Sequence, residues 1–226
     1  HIGLLAKRSL LICITLIALF IDSRVGQQVA YAQLLQPYLV KDINTRTLSS
    51  DPFGFTGVNG LIYFAADDGV HGSELWRTDG TVAGTWLVKD LVPGWQGASP
   101  EQIQADQQGN LYFLTRFPGS NTRGLWKSDG TAAGTQEVLR GNMGWVTVLG
   151  EHAYFAQFTQ ETGEELWTTD GTGAGTKLLK DINPGPGGSS SYCTLRFQAQ
   201  LYCYANDGVH GNELWRTDGT TTGTQL

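Results

Sequence analysis

The sequence has few charged side chains, few histidines and no excess of basic residues. Charged residues make up 16% of the 226 residues, the formal net charge is −6, and there are four His, three Cys and one Met. Without a basic excess, a nucleic-acid partner bound through phosphates is not expected. No zinc-type His cluster, Gly-x-Ser-x-Gly elbow, His-Glu-x-x-His motif or phosphate loop is present. We therefore predict no catalytic, cofactor-binding or metal-ligating residue.

Glycine and aromatic residues are abundant instead. The chain has 30 Gly and seven Trp, and aromatic residues make up 11% of it. This composition excludes a disordered chain and is not typical of a coiled coil or helical bundle. Because the glycines have no three-residue period, collagen is also excluded.

Residues 1–32 read as a secretory signal peptide. Lys7 and Arg8 precede the largely apolar stretch 10–21, and Ala30-Tyr31-Ala32 fits a cleavage site before Gln33. The apolar stretch is shorter than the roughly 20 residues that a spanning helix needs. We expect a bacterial protein that is secreted or lies at the cell surface, with residues 33–226 as the mature part and no membrane insertion after cleavage. An uncleaved N-terminal anchor is the alternative.

One motif occurs four times in the mature part. Three copies read Glu-Leu-Trp-x-x-Asp-Gly-Thr and the second begins with Gly124; each is followed by Gly-Thr after two residues. The steps from Trp to Trp are 50, 41 and 48 residues. An invariant core with variable spacing indicates a structural unit joined by loops of different length. The copies occupy residues 74–81, 124–131, 165–172 and 213–220.

Two other segments recur around the motif. A tyrosine-centred apolar run precedes each copy, and a Leu-Val-Lys-Asp-like stretch lies at 39–44, 87–91 and 178–185 but is replaced at 138–141. Asn-Gly and Asp-Gly pairs are typical of tight hairpins. We predict four strands per unit, which in the first unit are 53–58, 61–66, 74–78 and 84–90.

The mean repeat of about 46 residues with four strands is typical of a β-propeller blade. We predict an all-β chain, a β-propeller or propeller fragment built from four four-stranded repeat units; a sandwich or a solenoid explains the repeat less well. The last unit lacks its fourth strand. Either residues 38–42 supply that strand and close a four-bladed ring, or the sequence is a fragment, which we favour. Blade number and oligomeric state stay open.

These repeats resemble the secreted bacterial family named for its ELWxxDGT repeat, over about residues 38–226. The resemblance implies a propeller-like fold and a secreted or surface location, and it implies no catalytic activity. The Asp-Gly-Thr hairpin is similar in outline to the structural Asp-box hairpins of sialidase-type propellers.

The repeated side chains are best interpreted as structural. The motif carboxylates, Asp79, Asp129, Asp170 and Asp218, are expected to accept backbone N–H bonds within their own turns. The motif tryptophans, Trp76, Trp126, Trp167 and Trp215, are expected to pack between blades, although sugar stacking is possible. The oxygen-bearing group Asp42, Asn44, Asp90, Asp181 and Asn183 suits Ca²⁺ but lacks the dense spacing of a dedicated loop.

Binding is predicted on the face that carries the longer, variable loops. The first candidates are two matching loops, Asp67-Asp68-Gly69-Val70-His71 and Asn206-Asp207-Gly208-Val209-His210. The alternative to a binding role, which we prefer, is that the two histidines stabilise their own turns.

We predict a non-enzymatic secreted or cell-surface module that binds a protein or a glycan. The alternative is a propeller-type glycoside hydrolase, sialidase-like, which needs paired carboxylates and arginines gathered at the axis. The spacing shows no such gathering among Arg46, Arg77, Arg116, Arg123, Arg140, Arg196 and Arg216. A quinone-dependent redox protein is the weakest alternative.

Cys193 and Cys203 remain after signal cleavage, and export makes a disulfide between them possible. With a turn centred on Ala199, Cys203 is expected opposite Leu195, one diagonal from Cys193. Whether the two are bonded is left open.

Overall fold

The computed structural model describes residues 37–46 and 48–226; the signal peptide predicted at 1–32 lies outside them. The described residues form fifteen β-strands and no helix. The prediction of an all-β chain is confirmed for this part. Within it, no helix has the length and apolar character needed to cross a membrane.

The strands form four antiparallel sheets, which we call blades 1 to 4 in chain order. Three blades have four strands in sequential order and blade 4 has three. The first-unit strands agree with their predicted bounds to within two residues. Blade 1 contains β1 (Phe53–Val58), β2 (Leu61–Asp67), β3 (Ser73–Thr78) and β4 (Trp86–Lys89). Blade 2 contains β5 (Glu101–Ala105), β6 (Leu111–Arg116), β7 (Arg123–Ser128) and β8 (Gln136–Gly141). Blade 3 contains β9 (Met143–Leu149), β10 (His152–Thr159), β11 (Gly163–Thr169) and β12 (Lys177–Lys180). Blade 4 contains β13 (Tyr192–Phe197), β14 (Gln200–Asn206) and β15 (Asn212–Thr217).

The Asp-Gly-Thr-x-x-Gly-Thr segment builds the turn after the third strand of each blade. In blade 3, the N–H and hydroxyl of Thr172 donate to Asp170 Oδ1 at 2.8 and 2.7 Å. The same hydroxyl accepts the Gly175 N–H at 2.9 Å. Gly171 has a φ of 91°, which favours glycine. The carboxylate therefore holds its own turn.

The second glycine and the last threonine of the segment are fixed by close contacts. A Cβ at Gly175 would overlap the Asp170 carboxylate, so only glycine fits there. The Thr176 hydroxyl lies 2.7 Å from the Thr169 hydroxyl and donates to the Thr172 carbonyl at 2.7 Å. Asp79, Asp129 and Asp218 form the same contacts in the other blades.

The hydrophobic core is divided among the spaces between neighbouring blades. One cluster joins Leu75 and Val88 of blade 1 to Phe113 and Trp126 of blade 2. Equivalent clusters join blade 2 to blade 3 and blade 3 to blade 4. Each sheet therefore buries its apolar faces on its neighbours. The motif tryptophans of blades 1, 2 and 4 are buried, which fits the packing interpretation.

In blades 1 and 3, a lysine at the end of the fourth strand links the blade to the Asp-Gly-Thr turn of the next blade. Lys89 Nζ donates to the Thr135 carbonyl at 2.6 Å, and Lys180 Nζ donates to the Thr224 carbonyl at 2.6 Å. In blade 2, Leu139 stands opposite the motif leucine, where blades 1 and 3 have lysine. Leu139 packs into the cluster between blades 2 and 3 instead.

Residues 38–42 do not close a ring in this structure. They form no strand, and blade 4 remains three-stranded. Lys41 Nζ donates to the Thr85 carbonyl at 2.6 Å, and Ile43 packs on Phe64 and Trp76 of blade 1. This segment thus covers the open face of blade 1 in the way that a preceding blade would.

Cys193 and Cys203 form a disulfide across the β13–β14 hairpin. The expected register was wrong, because Cys203 pairs with Cys193 and Leu195 pairs with Tyr202. The turn is centred between Gln198 and Ala199, which shifts the pairing by one residue, and a bulge between Cys193 and Leu195 shifts it by one more. The bulge brings the two cysteines directly opposite each other.

We predict that Gly175→Ala lowers the free energy of unfolding by about 1–3 kcal/mol, because the new methyl group overlaps the Asp170 carboxylate. Gly173→Ala in the same turn is the control, since nothing lies within 4 Å of its Cβ. We expect this control to be as stable as the wild type. Urea unfolding followed by tryptophan fluorescence measures both. Equal losses in the two variants would contradict this account of the turn.

Candidate functional site

The longer connections emerge together on one face of the blades, which we call the loop face. It carries the β2–β3-type loops and the linkers between blades. Ser73 forms a parallel bridge with Gly97 of the linker after blade 1. In blade 3, a Cβ at Gly163 would collide with the backbone of Gly188 in the following linker. The linkers therefore lie against the loops in which ligand contacts were predicted.

The first predicted loop is held by its own polar side chains. Asp67 Oδ1 accepts the Gly69 N–H at 2.6 Å, and Asp68 Oδ1 accepts the His71 N–H at 2.9 Å. His71 Nδ1 lies 2.7 Å from Asp68 Oδ2. Burial opposes ionisation of Asp68, but hydrogen bonds from His71 and Val70 outweigh it and lower the pKa of Asp68. The hydrogen bond to Asp68 raises the pKa of His71.

The second predicted loop repeats this geometry on blade 4. Asn206 Oδ1 accepts the Gly208 N–H at 2.8 Å, and His210 Nδ1 lies 2.8 Å from Asp207 Oδ2. Hydrogen bonds from the backbone and imidazole of His210 lower the pKa of Asp207. The hydrogen bond to Asp207 raises the pKa of His210. These contacts fit the turn-stabilising interpretation of both loops.

The structure does not bring the two loops into one site. A Cβ at Gly69 would meet Asn44 Oδ1 at 2.9 Å, and one at Gly208 would meet Asn183 Oδ1 at 2.6 Å. Each loop thus packs on the linker that precedes its own blade. A ligand role for the six predicted residues stays a prediction.

The oxygen-bearing group considered for Ca²⁺ is distributed along the linkers. Asn44 Oδ1 accepts the Arg46 N–H at 3.0 Å, and Asn183 Nδ2 donates to the Gly188 carbonyl at 2.7 Å. Among residues 37–46 and 48–226, no group of three or more His, Cys, Asp or Glu side chains could hold a metal ion. These asparagines therefore shape the linkers.

The motif glutamate anchors the linker that follows its blade. Glu74 is fully buried and accepts the N–H groups of Leu91, Val92 and Ala98 at 3.0, 3.2 and 3.0 Å. Burial raises the pKa of Glu74 to about 7. This role is absent from the sequence-based predictions, which concentrated on the repeated aspartates.

Glu165 anchors the next long linker in the same way. It accepts the Ile182 and Asn183 N–H groups at 3.0 and 2.9 Å and the Ser189 hydroxyl at 2.7 Å. Burial also raises the pKa of Glu165. Blades 1 and 3 therefore anchor the linker that follows them in the same way.

The short connection after blade 2 explains why the second copy of the motif begins with Gly124. Only Asn142 separates β8 from β9, so this blade has no long linker to anchor. A Cβ at Gly124 would lie 2.7 Å from Trp126 Nε1 and 2.9 Å from Thr115 Oγ1. The motif glutamate is therefore missing in the blade that has no long linker. The replacement of this glutamate by Gly124 was visible in the sequence.

A charged cluster on blade 2 was missed by spacing arguments. Arg116 and Arg123 are opposite each other in the β6–β7 ladder, and they pair with Glu101 at 3.1 and 3.2 Å. Arg140 lies 3.5 Å over the Phe117 ring and pairs with Glu137. The contact with Glu101 depends on the packing of β5.

Arg116 is the most accessible part of this cluster. Its side chain is 60% exposed, whereas that of Arg123 is 20% exposed. Arg123 also donates to the Gly144 carbonyl of blade 3 at 2.5 Å. Arg123 therefore joins two blades, and Arg116 presents its guanidinium to solvent. A planar guanidinium can bind a carboxylate through two parallel hydrogen bonds.

A cleft of about 400 Å³ lies on the opposite side, where the tight hairpins emerge. Its polar lining comes from the turns of three blades and includes the His152 imidazole. The cleft shows that the hairpin face also offers a concave surface. The lining residues are Gln107, Leu149, Gly150, Glu151, His152, Tyr154, Ala199 and Asp218.

Comparison with known proteins identifies the fold class. No protein-family model matches the chain, and a search of curated proteins gives no match. The crystal structure of a puromycin hydrolase is similar to the chain, with a TM-score of 0.50 and 16% identity over 74% of this chain and 26% of the hydrolase. The chain therefore spans about a quarter of the length of that hydrolase.

Two further solved structures have lower scores. Regucalcin from Agrobacterium tumefaciens gives a TM-score of 0.49 at 13% identity, over 77% of this chain and 58% of its own. The β-propeller domain of the Trilobed protease from Pyrococcus furiosus gives 0.44 at 9% identity, over 76% and 70%. The four stacked antiparallel sheets define a β-propeller-type chain. At 16% identity, the likeness to the hydrolase shows the fold alone.

The buried glutamates predict a pH dependence. The pKa of Glu74 rises from 4.5 to about 7, so between these values the folded protein keeps a proton that the unfolded chain releases. The free energy of unfolding therefore falls as the pH rises from about 5 to about 8. Glu74→Gln is expected to make this fall shallower and to lower stability by about 1–3 kcal/mol, because its amide cannot accept the Leu91 and Val92 N–H groups together.

Glu213→Gln is the matched control, because Glu213 has the same motif position but is exposed. We expect it to keep both the stability and the pH slope of the wild type. Urea titrations at several pH values give these slopes. An unchanged slope in Glu74→Gln would contradict the assigned burial of this carboxyl group.

Proposed function

We propose that the protein is an exported β-propeller-type binding module that recognises carboxylate-bearing ligands on its loop face. The ligand is a glycan or protein surface with exposed carboxylates, and Arg116 is its first contact. The observation that carries this proposal is the pair of arginines at the end of the β6–β7 hairpin, one largely exposed and one partly buried between blades.

Repeated and unrepeated side chains have different roles in this structure. The repeated Asp, Thr and Glu side chains bond within turns and linkers. The cluster around Arg116 occurs in one blade only, and it lies at strand ends on a packed scaffold. Recognition is generally concentrated in such variable positions on a rigid fold.

Export is supported by the N-terminal sequence and by the cysteine pair. The basic residues, the apolar stretch and the small-x-small site are typical of a signal peptide. A disulfide between Cys193 and Cys203 is compatible with an oxidising compartment. We infer a secreted or surface-attached location.

The alternative function is glycoside hydrolysis, and one observation favours keeping it. Glu164 is half-buried near Gly144, and its pKa is raised by burial and by Glu165. A carboxyl group with a raised pKa is suited to act as a general acid. Glycosidases need a second carboxylate at a defined distance, and Glu101 is a candidate because its partner Arg123 donates to the Gly144 carbonyl.

The test is a glycan array of uronic-acid, sialylated and neutral glycans, probed with the wild type and Arg116→Gln. We expect binding to carboxylated glycans only, and a loss of about fivefold or more in Arg116→Gln, since one charge-assisted pair is removed. Lys177→Gln is the control, because it removes one exposed positive charge from another part of the chain. A ligand whose binding survives Arg116→Gln but is lost in His152→Ala would place recognition on the hairpin face.

The same preparations are incubated with chromogenic glycosides. Turnover that disappears in Glu164→Gln would favour the hydrolase over the binding module. A set with Asp68→Ala and His71→Ala tests the loop predicted from the sequence. We expect these changes to lower stability more than ligand affinity.

A further inference from the structure

The residue that follows the motif tryptophan is basic in three copies of the repeat and neutral in one. It is Arg77, Lys127 and Arg216 in blades 1, 2 and 4, and Thr168 in blade 3. The four positions are equivalent in the sheets, because each is paired with the tyrosine of the preceding strand. These tyrosines are Tyr63, Tyr112, Tyr154 and Tyr202. Blade 3 is therefore the exception at a position that the fold keeps constant.

The basic residue joins its blade to the next one. Arg77 donates to the Gly130 carbonyl of blade 2 at 3.2 Å, and Lys127 Nζ donates to the Asp170 carbonyl of blade 3 at 2.9 Å. Lys127 Nζ also lies 5.4 Å from the centre of the Tyr112 ring. Aromatic rings attract ammonium groups that lie over their faces. The space between the tyrosine of one blade and the Asp-Gly-Thr turn of the next thus holds a cation in the first two interfaces.

The interface between blades 3 and 4 has no such cation. Thr168 is buried, and its hydroxyl donates to the Ala153 carbonyl of its own sheet at 3.3 Å. The carbonyls of Asp218 and Gly219 are equivalent to the two acceptors above, and in the described part of the chain no lysine or arginine donates to them. Lys177 stands opposite Thr168 in the β11–β12 ladder, but it is exposed.

The tyrosine and the turn keep their arrangement in this interface. A Cβ at Gly219 would overlap the Tyr154 hydroxyl, as one at Gly130 would overlap the Tyr63 hydroxyl. Only the basic side chain between them is missing.

The cleft on the hairpin face lies at this position. Its volume is about 400 Å³, and Tyr154 and Asp218 line it. They correspond to the tyrosine and the aspartate beside Lys127. Clefts of this size hold small organic groups. The cleft is therefore the space that opens where threonine replaces a basic side chain.

The lining of the cleft is rich in negative charge. Asp218 Oδ1 accepts the N–H and hydroxyl of Thr220 at 2.9 and 2.7 Å, and these hydrogen bonds lower the pKa of Asp218. This carboxylate is therefore charged at neutral pH. Glu151 adds a second carboxylate, and of the described residues no lysine or arginine lines the cleft.

Blade 4 is fully formed where it borders the cleft. The Asp218 turn has the closing contacts of the other turns, including the Gly223 N–H that donates to Thr220 Oγ1 at 2.9 Å. After the turn, Gln225 and Arg216 exchange two backbone hydrogen bonds of 2.9 Å. The cleft lies on the side of blade 4 that faces blade 3, and both sides of it come from described residues.

An ammonium group fits this cleft better than a guanidinium group. Arg77 lies 3.9 Å over the ring of Trp86, its partner in the fourth strand. The residues at the place of Trp86 in blades 2 and 3 are Gln136 and Lys177. A guanidinium in the cleft would therefore lack the flat aromatic surface on which it stacks.

We propose that the cleft between blades 3 and 4 binds a primary ammonium group of another molecule, either a lysine side chain or the end of a free alkylamine. The ammonium donates to the Asp218 carbonyl and lies beside Tyr154 and Glu151, and its alkyl chain packs on Leu149. It takes the place that Lys127 Nζ fills between blades 2 and 3. This site lies on the hairpin face and does not rest on the proposed function, whose ligand is anionic.

The test is a titration of the isotope-labelled protein with n-butylammonium, followed by NMR, with n-butanol as the neutral analogue. We expect saturable shifts of the Glu151, Thr168 and Gly219 amides with butylammonium and none with butanol. Glu151→Gln should weaken binding about threefold, because it removes one carboxylate from the lining. Glu161→Gln is the matched control: it removes another exposed glutamate, in the β10–β11 loop, and should bind like the wild type.

Thr168→Lys restores the basic residue of the motif. We expect its ammonium to donate to the Asp218 carbonyl and to weaken butylammonium binding about tenfold or more, because the cleft is then occupied. Thr168→Val is the control, since it keeps the size of the side chain and leaves the cleft open. Circular dichroism checks that both variants are folded. The Glu151→Gln comparison tests the site independently if Thr168→Lys does not fold.

Two further probes distinguish the sources of the ammonium group. Tighter binding of Nα-acetyl-lysine amide would indicate a lysine of a partner protein. Tighter binding of a linear four-carbon diamine, whose second ammonium can reach Glu151, would indicate a free amine. Equal shifts with butanol, no saturable shift with butylammonium, tighter binding of butylguanidinium, or unchanged binding in folded Thr168→Lys would each overturn the proposal.

Discussion

The structure depends on one constraint: a lone four-stranded sheet of this sequence cannot cover its own apolar faces. The motif leucine and the motif tryptophan of a blade belong to different faces, and the clusters of apolar side chains lie between successive sheets. Burial of such surface contributes about 25 cal/mol per Å². Each blade is therefore stable only beside another, and the first blade uses Ile43 for this purpose.

Polar contacts give this stack its spacing and direction. The Asp-Gly-Thr turn is closed by its own carboxylate, and the lysine at the end of a fourth strand donates to a threonine carbonyl in the next turn. The motif glutamate then fixes the long linker by accepting backbone N–H groups. Since these polar groups are occupied by structural contacts, the proposed ligand contacts fall on the unrepeated charges around Arg116.

Much of this could be predicted where the information is local. The strand bounds, the four units and the absence of helix in the described residues followed from repeats and turn residues. The cysteine register could not, because the β13–β14 turn is centred between Gln198 and Ala199 and a bulge between Cys193 and Leu195 adds a second one-residue shift. The Arg116–Glu101 pair also escaped prediction, because β5 and the β6–β7 hairpin meet through sheet pairing and not through sequence spacing.

The sequence by itself determined the turns and the repeat, since glycine with positive φ and an aspartate two residues before a threonine act over a few bonds. The sequence also shows Gly124 in place of glutamate in blade 2, which has no long linker. Only the tertiary structure decided which of the three motif glutamates are buried. Glu74 and Glu165 lie under a linker and have raised pKa values, whereas Glu213 lies in solvent. The physical reason is that burial depends on which segment packs over a residue. Identical motifs do not determine which segment packs over them.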